Sequence, residues 1–116
     1  MSTKAESLRT VAHDGAARKI ANNTWEYHRD ESRFIRLHNT EIIEFKPDGR
    51  VVLNSGGWRT VTTKARFNRF TPYGVYQKNH EWFVLKPRDP PHHWHRDGAI
   101  PFYDGMVLPD AFKEEN

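Results

Sequence analysis

Residues 54–70 read Asn-Ser-Gly-Gly-Trp-Arg-Thr-Val-Thr-Thr-Lys-Ala-Arg-Phe-Asn-Arg-Phe and carry the densest chemistry in the chain. Between Trp58 and Phe70 there are four basic side chains, Arg59, Lys64, Arg66 and Arg69, and no acid. Gly56 and Gly57 would let backbone amides come close to a ligand. The hydroxyls of Ser55, Thr60, Thr62 and Thr63 can donate to phosphate oxygens. Arg59 and Arg66 could fork onto a phosphate, with Lys64 as a point charge. Trp58 offers a stacking surface for a base, and Asn68 completes the set as a polar neighbour. A helix starting at Thr62 or Thr63 would add free N–H groups and a positive dipole end. The expected chemistry is recognition of a phosphate-bearing ligand, either nucleic acid or a nucleotide. The stretch matches neither the phosphate-loop pattern nor a dinucleotide fingerprint. The competing structural reading makes the glycines a bulge, the threonines strand positions and a cap, and the basic residues plain surface.

Other constellations are weaker. His92, His93 and His95, with Asp97 nearby, could ligate a divalent metal, but their spacing matches no zinc motif. A metal-dependent nuclease would need a ligand set that His38, Glu41 and Glu44 alone do not define. Cysteine is absent, so thiol nucleophiles, disulfides and thiolate zinc sites are excluded. Ser55 lacks the G-x-S-x-G setting and an identifiable base. No cofactor motif is recognisable, and the chain reads as a binding protein more than an enzyme.

Charge distribution supports an anionic partner. The chain has 116 residues and a net charge of +3. Residues 1–45 hold seven basic and seven acidic groups, residues 46–96 ten and three, and residues 97–116 one and five. The centre is therefore net +7, where DNA, RNA or a nucleotide would be attracted. The acidic, aromatic end, with Trp94, Phe102, Tyr103 and Phe112, suggests an alternative. It could contact a host protein or a second copy of the chain, since such residues dominate interface hot spots.

Period-2 patterning positions these groups on strands. Trp25 to His28, Phe34 to His38 and Glu41 to Phe45 alternate, with Ile35 and Leu37 on one face and Ile43 and Phe45 on another. Residues 29–32 and 38–40 read as turns. Lys46-Pro47-Asp48-Gly49 is a hairpin tip before Val51-Val52-Leu53. Residues 58–61 could resume that strand. A short helix is expected within residues 62–70, ended by Pro72 and Gly74. A second hairpin joins Val75-Tyr76-Gln77 to Trp82-Phe83-Val84-Leu85. A short helix over residues 6–13, ending near Gly15, is expected in the polar segment 1–17. Residues 18–86 would form the core. Residues 87–116 read as a Pro- and aromatic-rich extension, irregular beyond Pro87, with a last edge segment around residues 101–108 and a frayed end. The expected fold is α+β: a twisted antiparallel sheet of about five or six strands with one or two short helices.

Several strings carry a resemblance: Lys19-Ile20-Ala21-Asn22-Asn23-Thr24, Ile35-Arg36-Leu37-His38-Asn39-Thr40-Glu41-Ile42, Asp48-Gly49, and the run from Leu53 to Asn68. They resemble a widespread group of small tailed-bacteriophage proteins, over about residues 18–85. Trp82-Phe83-Val84 and Asp104-Gly105 fit the same group. The resemblance implies a phage protein acting in the host cytoplasm, and supplies no catalytic residues. The start of the chain has no secretory h-region, and no run of about 18 apolar residues could span a membrane.

Overall fold

In a computed structural model, residues 14–88 and 93–113 are described. The expected helix over residues 6–13, His92 and residues 114–116 lie outside them, as do the side chains of His93 and His95. Gly15, expected to end that helix, lies instead in strand β1, Asp14–Ala21.

Short loops between alternating strands force neighbours to pair antiparallel. β1, β2 (Thr24–Arg29), β3 (Ser32–Leu37), β4 (Thr40–Phe45) and β5 (Val51–Leu53) follow one another across a six-stranded sheet. β9 (Met106–Leu108) completes it at the far edge, beside β5. β6 (Gly74–Lys78), β7 (Glu81–Arg88) and β8 (His93–Pro101) form a separate three-stranded sheet. Helix α1 spans Val61–Phe70, and the short helix α2 spans Asp110–Lys113. The architecture is thus mainly antiparallel sheet with two short helices. Its strands are divided between two sheets, where a single one was expected. None of the described helices is long and apolar enough to cross a membrane.

The turn chemistry is local. Asp30 and Glu31 both take positive φ, as do Asn79 and His80, the backbone of primed two-residue hairpins. At the third tip, Gly49 has φ +95° and its N–H donates to the Lys46 carbonyl at 3.0 Å.

The opposed residues of the six-stranded sheet place Ile35, Ile43, Val51, Leu53, Met106 and Leu108 on one face. There they join Phe67 of α1, Val75, Trp82, Val84 and Ile100 of the second sheet, and Phe102 just after β8, in one core. The alternation in β3 hides burial on both faces: Phe34 and Arg36 are as buried as Ile35 and Leu37.

Three expectations are corrected. Residues 58–61 do not resume β5, because positive φ at Gly56 and Gly57 turns the chain away. The helix cap is Thr60, not Thr62 or Thr63; its extended backbone (φ −110°, ψ 163°) lets its hydroxyl accept the Thr63 N–H. Arg88 and residues 93–98, expected to be irregular, are strand: β7 runs to Arg88 and β8 pairs with it. β6 accompanies β7 only as far as Leu85, so Pro87 has a neighbour on one side and its missing N–H leaves no gap in a ladder.

Candidate functional site

Loop 54–60 is shaped by its own side chains. The Ser55 N–H and hydroxyl both donate to Asp104 Oδ1, each at 2.7 Å. The Gly56 N–H donates to Asn54 Oδ1 at 2.9 Å, and the Gly57 N–H to Ser55 Oγ at 3.2 Å. A Cβ on Gly56 would stand 2.7 Å from Thr40 Cγ2, so only glycine lets the loop lie against the β3–β4 turn. Thr60 and Thr63 share a hydroxyl contact of 3.1 Å. These groups build the loop and the helix start.

Two other candidates also hold the fold. Arg66 donates from Nε to Thr24 Oγ1 at 2.9 Å and from Nη2 to the Asn22 carbonyl at 3.2 Å, pinning α1 to the β1–β2 turn. The Asn68 side chain pairs with the Val75 N–H and C=O, at 2.6 and 3.1 Å, as a strand neighbour would.

Trp58, Arg59 and Thr62 are exposed, and Lys64 is half-buried beside them. Trp58 is 71% exposed and Val61 76%. The Arg59 guanidinium lies 5.0 Å from the Phe102 ring centre, and Lys64 Nζ 5.7 Å from that of Trp82. Lys64 Nζ is also 3.4 Å from Gln77 Oε1. Neither cation forms an ion pair among the described residues. The amides of Val61 and Thr62, at the first turn of α1, have no intrahelical acceptor.

A cleft of about 390 Å³ opens beside Trp58. Ser55, Thr60, Thr62 and Thr63 line one side, His38, Asn39 and Thr40 the other, with Leu37 and Ile42 adding apolar surface. The sequence showed residues 38–40 as a turn at a strand end, with His38 weighed only as a nuclease ligand. Their polar run was visible, but nothing local placed them opposite residues 55–63. The exposed lining of the cleft is more apolar than polar and holds no Lys, Arg, Asp or Glu; Arg59 and Lys64 stand on the neighbouring surface.

Of the nuclease candidates, His38 lines the cleft, but the two glutamates are engaged elsewhere. Glu41 accepts from Tyr27 Oη at 2.7 Å and from both Arg29 Nη atoms at 2.6 and 2.9 Å. Burial raises the Glu41 pKa, but these bonds and the charges of Arg29 and Arg36 outweigh it, and the carboxyl sits below its ordinary range. Glu44 accepts from Ser32 Oγ at 2.7 Å. Among the described residues, no group of three His, Asp or Glu side chains could hold a metal ion.

The model of the Kyanoviridae Gp96 protein family matches residues 3–109. The chain belongs to that family. The Gp96 match covers loop 54–60, α1 and both walls of the cleft, and it bears out the resemblance to small phage proteins. No curated protein and no solved structure matches.

Proposed function

We propose that this Gp96-family chain is a phage binding protein that takes a phosphate-bearing ligand, a nucleic acid or nucleotide, at the cleft beside Trp58. A base would stack on Trp58, with sugar or base edges meeting the hydroxyls of Thr40 and Thr62. The phosphate would lie toward Arg59 and Lys64 and the first amides of α1. One observation carries this reading: a tryptophan left 71% exposed at the mouth of a hydroxyl-lined cleft, next to two cations that no described acid neutralises. The contact set is narrower than the sequence suggested, because Ser55, Gly56, Gly57, Thr60, Thr63, Arg66 and Asn68 have partners inside the fold. The host cytoplasm is the setting this function requires.

The test is binding of the purified protein to labelled single- and double-stranded DNA, RNA and a panel of cyclic nucleotides at two salt concentrations. A polymer releases counterions and loses affinity steeply with salt, whereas a nucleotide held by stacking and hydrogen bonds loses less. Trp58→Ala should weaken binding by about 1–3 kcal/mol if one base stacks on the ring. Binding to none of these ligands, or unchanged binding by Trp58→Ala, overturns the reading. The alternative contact through the C-terminal aromatics has less to stand on, since Phe102 and Phe112 are buried in the chain's own core.

A further inference from the structure

A second pocket, of about 380 Å³, is lined by Tyr73, Lys86, Pro87, Pro109, Phe112 and Lys113. None of these residues takes part in the cleft beside Trp58. Tyr73 and Phe112 stack within it, ring centres 6.2 Å apart and planes 19° from parallel. Lys86 Nζ stands 5.3 Å from the Phe112 ring centre. Neither Lys86 nor Lys113 pairs with an acid among the described residues. The nearby Asp110 carboxylate is held by Arg50 Nη1 at 3.1 Å.

Tyr73 is the second observation. It is only 8% exposed, yet no described residue hydrogen-bonds its hydroxyl. That oxygen is not among the sealed, unpartnered atoms either, so it keeps access to solvent in a residue that lines the pocket. A ligand seated in the pocket can replace water as the acceptor of this donor. Burial, and secondarily the charge of Asp110, raise its pKa, so it stays protonated as a donor.

The walls decide the kind of anion. Pro87 and Pro109 have no N–H, so two of the six lining residues give a phosphate dianion no backbone donor. Two exposed prolines and the accessible rims of two largely buried rings instead offer apolar surface, with two ammonium groups and one hydroxyl. We propose that this pocket binds a small aromatic carboxylate, its ring against Phe112 and the prolines and its oxygens toward Tyr73, Lys86 and Lys113.

The test is an NMR titration of the whole chain with benzoate, alongside benzamide, acetate and inorganic phosphate. Benzoate should produce saturable shifts centred on Tyr73, Lys86 and Phe112, with roughly millimolar affinity for so few atoms. Benzamide, without the charge, and acetate, without the ring, should each bind roughly tenfold or more weakly. Tyr73→Phe keeps the core ring and should weaken benzoate severalfold, as should Lys86→Gln. Arg59→Ala should leave it unchanged, which separates this pocket from the cleft. The proposal is overturned if benzoate gives no saturable shift, if benzamide or phosphate matches it, or if Tyr73→Phe and Lys86→Gln both bind benzoate as the natural chain does.

Discussion

Ser55 and Asp104, 49 positions apart, are joined by two hydrogen bonds of 2.7 Å that converge on one carboxylate oxygen. The adjacent Gly105 N–H donates to the Leu53 carbonyl at 2.8 Å. The connection between β8 and β9 therefore clasps the loop that walls the cleft. Asp104→Ala leaves the amide and hydroxyl of a buried serine without their acceptor. We expect a loss of about 1.5–3 kcal/mol, read from the midpoint of urea unfolding, together with weaker ligand binding at the cleft. Asp104→Asn keeps one acceptor oxygen and should lose less.

Gly56 and Gly57 should respond differently to alanine. Both have positive φ, +66° and +86°, but only at Gly56 does a Cβ meet Thr40; at Gly57 the space is open. Gly56→Ala should cost about 1–3 kcal/mol more than Gly57→Ala, through overpacking added to backbone strain. Thr40→Ala removes the two closest atoms, so a double-mutant cycle should show partial rescue in chemical denaturation. Equal effects of the two glycine substitutions would show that the contact with Thr40 does not matter.

Arg59 and Arg66 separate binding from stability. Arg66→Ala breaks the tie to Asn22 and Thr24 and should lower stability by about 1–2 kcal/mol. Arg59→Ala forfeits a cation–π contact worth about 0.5–1 kcal/mol at an exposed site. In nucleotide or oligonucleotide titrations, Arg59→Ala should be the more damaging, by about 1.5–3 kcal/mol where it meets a phosphate. Calorimetric titration and urea curves on the same preparations check both halves.

Glu41 should govern part of the acid limb of the stability curve. Its pKa is lowered in the folded chain relative to an ordinary glutamate, so the unfolded chain binds more protons in that window. Its contribution is complete above the unfolded value of about 4.3 and is lost as pH falls through the lower folded value. Glu41→Gln should flatten this limb and lower stability at neutral pH by about 1.5–3 kcal/mol, since Tyr27 and Arg29 lose a charged acceptor. Urea unfolding from pH 7 to pH 3 measures both.

Removing residues 98–116 should unfold the chain. The segment supplies Ile100, Phe102, Met106, Leu108 and Phe112 to the core. Each large-to-small change at such sites costs about 2–5 kcal/mol, against a total stability of about 5–15 kcal/mol for a typical domain. Loss of dispersed amide NMR signals would confirm this, and a folded truncated chain would contradict it.

Alternation over six residues, Pro-Asp-Gly and a run of threonine before a helical stretch are local instructions, and they announced β2 to β5, the tip at Gly49 and α1 in the bare sequence. The exposed aromatic and the cations of residues 58–64 were equally legible. Tertiary structure decided the rest, because each remaining feature depends on a distant partner. Arg66 and Asn68 look like ligand donors until the β1–β2 turn and β6 are brought to them. Residues 38–40 become a cleft wall only when Thr40 is packed against Gly56. Asn54 and Ser55 bond the glycine amides within their own loop, but the Asp104 that holds Ser55 arrives from 49 positions away. Of the strands beyond Pro87, the edge segment that holds β9 was legible, but β8 stays hidden because proline reads as a breaker, while an open flank beyond Leu85 removes its cost. Hydrophobic period and turn chemistry act between near neighbours, whereas the pairing of β9 with β5 joins segments more than 50 residues apart, where no local signal reaches.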